Sequence, residues 1–533
     1  MPAVRGSLWQ AAGVRITFTG HVGMLLETEG GSILCDPWFN PAYFSSWFVF
    51  PRNDRFDLDR ISRPDYLYVS HLHHDHFDPQ FLREHVDKRA KVLLPAFLVD
   101  RLEVALRDCG FTEFIHTEHG VPVDLGGVEV AILAMTAPAD GPAGDSAIVV
   151  ADASARILNQ NDARPRDPAE VAALGPFDAH FTQFSGAIWY PMVYDFPPEE
   201  MDRLGRRKRE DQTVRALAYI REVGAPHVFP CAGPPCFLDD DLWALNDLED
   251  DPANIFPDQP WFLRRLAEEG IGGGELLVPG TEVVLAGGTC EVLQPEGAAS
   301  PGAIFADKRA HLEAYRDDVA ADLAAARAAW PRHAVDVLAE LRAWFEPLLE
   351  VAPLTRAGVG GPVLLRLTDD PAAAPEPLDV VIDFPAGTVR TARTGDAFAY
   401  SLTLDRALVE WCILEHTEDW VNEIFLSARF RAHRDGPYNE YIYTFFKCLS
   451  IERMAYCEGY YASRSAGDET FRCGAYEVQR RCPHLRADLQ RFGTLRDDHV
   501  LHCQVHGWEF DLDSGRCLNA DLPEHRIRAR RVD

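Results

Sequence analysis

Two short motifs near the end of the chain constrain its fold more than any other part of the sequence. The first is C-x-H at Cys482 and His484, and the second is C-x-x-H at Cys503 and His506. Together they offer two thiolates and two imidazoles, so a bound metal would hold the two loops side by side. A structural zinc ion accepts a Cys2His2 set, and an iron–sulfur cluster with mixed ligands accepts one too.

The residues around these motifs favour the cluster. Two segments resemble the ligand loops of a Rieske domain: CPHL, which begins at Cys482, and CQVHGWEFD, which begins at Cys503. The turn at Ser514 follows them, as in that family. The resemblance covers residues 451–533 and implies a small all-β domain with a Rieske 2Fe-2S cluster. It implies that Cys482 and Cys503 bind one iron, whereas the other iron is held by His484 and His506.

A second cluster of ligand-type side chains follows the short apolar strand predicted at residues 66–69. The segment HLHHDH supplies four such residues, which are His71, His73, Asp75 and His76. On one loop at a strand end, these side chains can converge on a small volume. Imidazole and carboxylate ligands suit zinc, iron and manganese, so we predict a metal site. His74 occupies the variable position of the pattern and is not included.

This segment resembles the metal motif of the metallo-β-lactamase superfamily. Gly20-His21, Asp36-Pro37 and Asn161-Asp162 match further motifs of that superfamily in the same order. The resemblance implies an α/β fold, a four-layer αββα sandwich, in a metal domain that we assign to residues 1–292. It also implies that the carboxylate of Asp162 is a metal ligand.

Two departures from the superfamily pattern concern its remaining metal-binding histidines. This chain has Ala139-Asp140-Gly141 at one of these positions and Pro230-Cys231 at the other. Ordinary dinuclear zinc hydrolysis is therefore disfavoured. The remaining residues can supply two His and one carboxylate, for example His71, His73 and Asp162, as in facial-triad non-haem iron oxygenases. Asp140 is the rival carboxylate, and the number of metals, one or two, stays open.

Residues 293–450 are predicted to form a helical and α+β connecting region. Apolar residues recur at spacings of three and four, which is typical of helices, in two stripes, from Leu312 to Trp330 and from Val335 to Phe345. Short apolar runs predict strands near residues 363–367 and 380–384. At the other end of the chain, alternation and a glycine pair predict three strands, at residues 14–18, 24–28 and 32–36.

Composition narrows the possible partners. At roughly 150 residues per domain, the 533 residues predict about three domains. The 52 basic and 83 acidic residues give a net charge of −31, which argues against nucleic acid or an anionic membrane as the main partner. No apolar run reaches the roughly 18 residues of a membrane span, and no signal peptide is visible. We therefore expect a cytoplasmic protein.

The two predicted sites together indicate oxygen chemistry. A Rieske cluster transfers single electrons, and zinc has no redox couple to receive them, so we expect one or two non-haem iron ions at the first site rather than zinc. A narrower resemblance, to the CMP-N-acetylneuraminate hydroxylase family of monooxygenases, implies the same chemistry. It rests mainly on residues 36–44, 157–162 and 184–187. In that family the Rieske domain precedes the metal domain, whereas here it follows.

We therefore predict an O2-dependent monooxygenase, a hydroxylase or N-oxygenase, that acts on a small polar substrate with electrons from a separate reductase or ferredoxin. A hydrolase with a redox-sensing Rieske domain and a non-catalytic electron carrier are the alternatives. The basic run at residues 206–209 predicts either an anion clamp or a solvated helix face. An aromatic set predicts either a substrate pocket or core, namely Trp38, Trp47, Trp189 and Tyr190.

Overall fold

The computed structural model of the chain describes residues 13–136, 141–295, 299–369, 377–463, 469–483, 487–504, 507–519 and 526–532. The N-terminal part contains strands β1 (Val14–Gly20), β2 (Gly23–Thr28), β3 (Gly31–Cys35), β4 (Tyr66–Tyr68), β5 (Lys91–Leu94), β6 (Phe114–His116), β7 (Val123–Asp124), β8 (Glu129–Met135), β9 (Asp145–Ala151), β10 (Arg156–Asn161), β11 (Ala179–Gln183), β12 (His227–Cys231), β13 (Glu282–Ala286) and β14 (Thr289–Leu293). Its helices are α1 (Pro79–His85), α2 (Arg101–Asp108), α3 (Pro168–Ala172), α4 (Pro198–Val223) and α5 (Gln259–Glu268). The three strands predicted at residues 14–36 are confirmed as β1, β2 and β3.

These elements form two facing sheets enclosed by helices. The sheet orders are β14-β13-β1-β2-β3-β4-β5-β6 and β12-β11-β10-β9-β8-β7. Apolar side chains of both sheets, such as Ile16 and Phe229, pack into one buried cluster between them. The opposite face of the first sheet packs on α1 and α2, and that of the second on α3, α4 and α5. Burial of both faces of each sheet produces the predicted αββα sandwich.

The middle region contains helices α6 (Pro301–Ala306), α7 (Lys308–Ala328), α8 (Val337–Glu350), α9 (Pro353–Val359), α10 (Arg406–Leu414), α11 (Glu440–Lys447) and α12 (Ile451–Ser463). Its strands β15 (Pro362–Thr368), β16 (Leu378–Asp383), β17 (Thr388–Thr391), β18 (Tyr400–Asp405) and β19 (Phe430–Arg434) form a sheet in the order β17-β16-β15-β18-β19. The two predicted helical stripes correspond to α7 and α8, and the two predicted strands to β15 and β16.

The core of this middle region continues into the metal domain. Trp38, Trp47 and Trp189 are buried in the same cluster as Phe345 and Phe445. The three tryptophans are therefore core residues that join the two parts of the chain. Tyr190 lies partly buried at the edge of this cluster.

The C-terminal part contains α13 (Leu489–Phe492) and two small sheets. Their strands are β20 (Thr470–Cys473), β21 (Tyr476–Gln479), β22 (Gly493–Asp497), β23 (Val500–Cys503), β24 (Trp508–Asp511) and β25 (Ala529–Arg531), in the orders β20-β21-β25 and β22-β23-β24. The predicted all-β character of this domain is confirmed. Within the described ranges, no helix combines the length and apolar character needed to cross a bilayer.

Candidate metal centre and cluster domain

The sandwich brings loops from three separate strand ends together. β3 and β4 are parallel, with Cys35 opposite Tyr68, so the loops that follow them leave the same edge of the first sheet. The HLHHDH segment lies in the loop after β4. Asp162 directly follows β10 of the second sheet, and His21 lies in the turn between β1 and β2.

Two groups of potential metal ligands lie at this edge. His71, His73 and Asp162 form one group, in which the ligand atoms all lie within 4.8 Å of one another. Asp75 and His76 form the second group with His21, within the same limit. The structure thus brings together all five residues that the sequence predicted for this site. It places the predicted set of two His and one carboxylate in a single group.

The two groups adjoin each other. Oδ1 of Asp162 is 3.5 Å from Nε2 of His76, which belongs to the other group. In the second group, Oδ2 of Asp75 is 3.0 Å from Nε2 of His21 and 3.7 Å from Nε2 of His76. The carboxylate of Asp162 therefore lies between the two groups, where it would be available as a ligand to a metal in either group.

His21 is the member that the sequence reasoning did not include. It was visible only as part of a Gly-His motif. Cys231 stands at the position of the superfamily's last His. The backbone N–H of the next residue, Ala232, donates to the carbonyl of His21 at 2.9 Å. Cys231 itself is fully buried. In this chain, an imidazole from the β1–β2 turn therefore completes the second group.

Several atoms of the two groups are buried and, among the described residues, have no hydrogen-bond partner. These atoms are Nε2 of His71, Nε2 of His76 and Oδ1 of Asp162. A buried polar atom without a partner is costly. All three atoms belong to ligand-type groups, so a bound cation would satisfy them. The donor set of imidazole nitrogens and carboxylate oxygens fits non-haem iron.

The other ring nitrogens of these histidines are held by neighbouring side chains. Oγ of Ser70 is 3.0 Å from Nδ1 of both His71 and His76, and Oδ2 of Asp36 is 3.1 Å from the same atom of His76. Oδ1 of Asp145 is 3.3 Å from Nδ1 of His71. Such contacts fix ring orientation, and they aim Nε2 of each ring into the site.

Burial and charge set different protonation states for the two groups. Burial lowers the pKa of His71 to about 4, with a further contribution from His76, and it holds the pKa of His73 well below its usual range. For His76, burial opposes the charged form, but the carboxylates of Asp162, Asp75 and Asp36 together raise the pKa to about 10. His71 and His73 therefore present neutral imidazoles, whereas a metal held by His76 would displace a proton from that ring.

Tyr43 supports the second group, which leads to a prediction. Its hydroxyl donates to Oδ1 of Asp75 at 2.5 Å. Tyr43→Phe removes this donor and keeps the buried ring, so we expect metal affinity to fall about 10- to 100-fold with the fold retained. Metal content after dialysis and the melting temperature measure the two effects. Tyr68→Phe is the matched control, since that buried hydroxyl contacts Ser146 and no ligand residue. Equal metal loss in both variants would contradict the assigned role.

The C-terminal domain buries the two predicted cysteine ligands. Cys482 and Cys503 are both fully buried in one cluster with Leu489 and Phe510. The N–H of Gly507 donates to the carbonyl of Cys503 at 2.8 Å. The other two predicted ligands, His484 and His506, lie outside the described residues, as does Asp140, the rival carboxylate of the first site.

The basic run on α4 sends its four side chains in different directions, because successive helical residues are rotated by about 100°. Arg206 forms an exposed pair with Asp202. Arg209 is buried against Asp247. Arg207 lies 2.8 Å from Glu509 of the C-terminal domain. Burial, with Arg215 and Arg164 nearby, lowers the pKa of Lys208 to about 7. These residues therefore form neither a single clamp nor a single solvated face.

The same helix carries further contacts between the metal domain and the C-terminal domain. Oδ1 of Asp211 lies 2.8 Å from Arg496 and 3.4 Å from Nε2 of His502. Tyr219 packs its ring on Phe492, at 5.2 Å between centroids, and its hydroxyl donates to the carbonyl of Pro165 at 2.9 Å. Tyr219 therefore links the C-terminal domain to the loop that begins with Asp162.

Comparison with known families assigns three segments of the chain. Residues 15–144 match the beta-lactamase superfamily domain, residues 337–463 the Rv3818-like, SCP2-like domain, and residues 468–528 the Rieske [2Fe-2S] domain. Some solved structures resemble parts of the chain. The diiron beta-hydroxylase CmlA from Streptomyces venezuelae matches at 19% identity and a TM-score of 0.35, covering 51% of this chain and 54% of that one. Igni18, a metallo hydrolase from Ignicoccus hospitalis, matches at 16% identity and a TM-score of 0.34, covering 53% of this chain and 100% of that one.

Curated relatives match over different lengths. The cytidine monophosphate-N-acetylneuraminic acid hydroxylase of Danio rerio is 30% identical over 81 residues, which is 15% of this chain and 14% of that protein. A protein of Mycobacterium tuberculosis named as a Rieske 2Fe-2S iron-sulfur protein is 47% identical over 526 residues, and its counterpart in Mycolicibacterium smegmatis is 45% identical over 526 residues. Each of these two matches covers 97% of this chain and 100% of the relative. The chain therefore belongs to this family of Rieske 2Fe-2S iron-sulfur proteins, with a β-lactamase-fold domain before the Rieske domain.

Proposed function

We propose that this protein is a Rieske-coupled non-haem iron oxygenase, a hydroxylase or N-oxygenase that uses O2 and external electrons on a small polar substrate. The observation that carries the proposal is the pair of adjoining ligand groups, joined by Asp162, in a chain that also has a Rieske domain. Similarity to a hydroxylase that acts on a sugar nucleotide supports the same reaction class.

The ligand set supports iron. Each group offers two imidazoles and one carboxylate from described residues, which leaves coordination positions for a reactant, as in facial-triad iron sites. Bound iron supplies the redox chemistry that O2 activation requires. Zinc has no redox couple, so a zinc centre would leave electrons from the cluster domain without an acceptor.

The chain's own residues perform three tasks in this proposal. His71, His73 and Asp162 would hold one ion, and His21, Asp75 and His76 would hold a second where two are bound. α4 holds the cluster domain against the metal domain through the contacts of Arg207, Asp211 and Tyr219. A separate reductase or ferredoxin supplies the electrons.

The middle region borders the metal centre and therefore limits what reaches it. Oε2 of Glu423 lies 3.1 Å from Nε2 of His74, in the ligand loop, and the ring of Tyr43 stacks on the same imidazole. Glu423 belongs to a short helical segment at Val421–Phe425, which is kinked at Asn422. Polar groups at this border are consistent with a small polar substrate.

Metal analysis of the purified chain tests the proposal. We expect two irons in the cluster and one or two more irons at the metal centre. Two irons with one or two zinc ions would overturn it in favour of the hydrolase with a redox-sensing domain. Two irons without any further metal would support the electron carrier.

Asp211 provides a prediction about electron transfer. Asp211→Asn removes the charge that holds Arg496 and His502, so we expect slower oxidation of the reduced cluster by O2 in the presence of substrate, with iron content unchanged. Stopped-flow absorbance of the cluster measures this rate. Glu222→Gln is the matched control, because Glu222 pairs with Arg491 across the same interface but is partly exposed, and such pairs contribute little. Equal rates in Asp211→Asn and the unchanged chain would refute the role of this contact.

A further inference from the structure

Two cysteines of the middle region form a close pair outside both predicted sites. Cys448 directly follows α11, and Cys457 lies within α12. Their sulfur atoms are 3.2 Å apart, and both residues are fully buried. A disulfide bond requires a separation of about 2.05 Å, so the sulfurs need to approach each other by only about 1 Å.

Two cationic residues, Arg453 and Lys447, act on both thiols of the pair. The hydrogen bond from Cys457 lowers the pKa of Cys448, an effect that the charges of Arg453 and Lys447 reinforce against burial. The same contact, together with burial, raises the pKa of Cys457 well above its usual range. Arg453 is fixed by Asp419 at 2.8 Å and lies one turn before Cys457 on α12. The thiolate is the reactive form of cysteine, so the lowered pKa favours Cys448 as the first thiol of the close pair to react.

We propose that Cys448 and Cys457 form a redox-active dithiol that hydrogen peroxide oxidises to a disulfide. The Cys448 thiolate attacks one peroxide oxygen, so that an S–O bond forms, the O–O bond breaks, and the leaving hydroxide takes up a proton as water. Cys457 then attacks the sulfur of this sulfenic acid. The S–S bond forms, the S–O bond breaks, and the second hydroxide leaves as water with the Cys457 proton. Two thiols and one peroxide thus give one disulfide and two waters.

The position of the pair indicates which oxidant reaches it. Both side chains are enclosed in the apolar cluster of the middle region, so only a small, uncharged oxidant is suited to enter. Lys447, next to Cys448, lies close enough to His73 for its charge to act on that imidazole. The charge of Lys447 thus acts on both the dithiol and the metal-centre loop. The oxidation itself does not depend on the proposed function.

Peptide mapping of the intact, cluster-containing chain tests this proposal. Trypsin separates the two cysteines into the peptides Cys448–Arg453 and Met454–Arg464. The chain is treated with one molar equivalent of hydrogen peroxide, and the remaining thiols are alkylated. We then expect a disulfide bond to join these two peptides, so that the mass of the product is two hydrogen atoms lower than the sum of the peptide masses. Dithiothreitol should separate them again. Cys412→Ser should leave the joined peptide unchanged, since Cys412 is buried on α10 and is not part of the pair.

Single variants test the order of attack. In Cys457→Ser, dimedone should label Cys448 as the sulfenic acid, whereas in Cys448→Ser it should not label Cys457. Melting temperatures establish that both variants fold. If peroxide left both peptides alkylated as free thiols in the folded, unchanged chain, the proposal would be overturned. Labelling of Cys457 in Cys448→Ser as strong as that of Cys448 in Cys457→Ser would overturn the assignment of the nucleophile.

Discussion

Asp162→Asn is expected to remove most of the metal from the centre and to reduce product formation by about 100-fold or more. The side-chain shape is preserved, but the charge that lies between the two ligand groups, 3.5 Å from Nε2 of His76, is lost. Because this carboxylate can reach both groups, a single substitution should affect both ions. Iron content and single-turnover product yield measure the effect, and the visible spectrum should show that the Rieske cluster is intact.

Asp145→Asn is the matched control for this prediction. Asp145 contacts Nδ1 of His71 from behind the site and lies in neither ligand group of the described residues. Its substitution should therefore weaken metal binding less, by about tenfold. If Asp162→Asn kept full iron and full product formation, the site would have to be rebuilt around another carboxylate, for which Asp140 is the sequence's other candidate.

His484→Cys and His506→Cys are expected to have the largest effect on the cluster. Imidazole ligation gives Rieske centres potentials of about −150 to +300 mV, compared with about −400 mV for plant-type ferredoxins with four thiolates. Each variant should therefore lose the Rieske spectrum or show a potential lowered by a few hundred mV. Electron paramagnetic resonance and a redox titration measure both properties.

His502→Gln is the control for the cluster variants. His502 is buried beside Cys503 on β23 but contacts Asp211, so its loss should leave the Rieske spectrum in place. A colourless, zinc-containing protein before any substitution would contradict the assignment of all four cluster ligands.

Local patterns made much of the fold predictable. Short motifs such as HLHHDH keep their ligands on one loop, and the helical stripes of α7 and α8 depend only on neighbouring residues. The contribution of His21 was not predictable in this way. It lies 54 positions before Asp75, and only the packing of the β1–β2 turn against the strand that ends at Cys231 brings it to the site.

The direction of individual side chains was the second feature that the sequence did not predict. The basic run at residues 206–209 reads as one positive patch, but the register of α4 sends Arg207 to the cluster domain and Arg209 into the core. The close contact between Cys448 and Cys457 could likewise not be predicted from their spacing in the sequence, because the chain turns between α11 and α12. The domain boundaries at 292 and 450, and the metal-ligand roles of the site residues, stay predictions.

An anaerobic reductive titration tests the central claim most directly, because it counts electron acceptors rather than metals alone. The oxidised protein, as purified, is titrated with dithionite while the cluster absorbance and the total electron uptake are followed. The Rieske cluster accepts one electron. If ferric iron occupies the centre formed by His71, His73, Asp162 and their neighbours, uptake should exceed one electron per cluster, and the excess should disappear in Asp162→Asn. Uptake of one electron in both proteins, with the centre filled by a metal, would contradict the account.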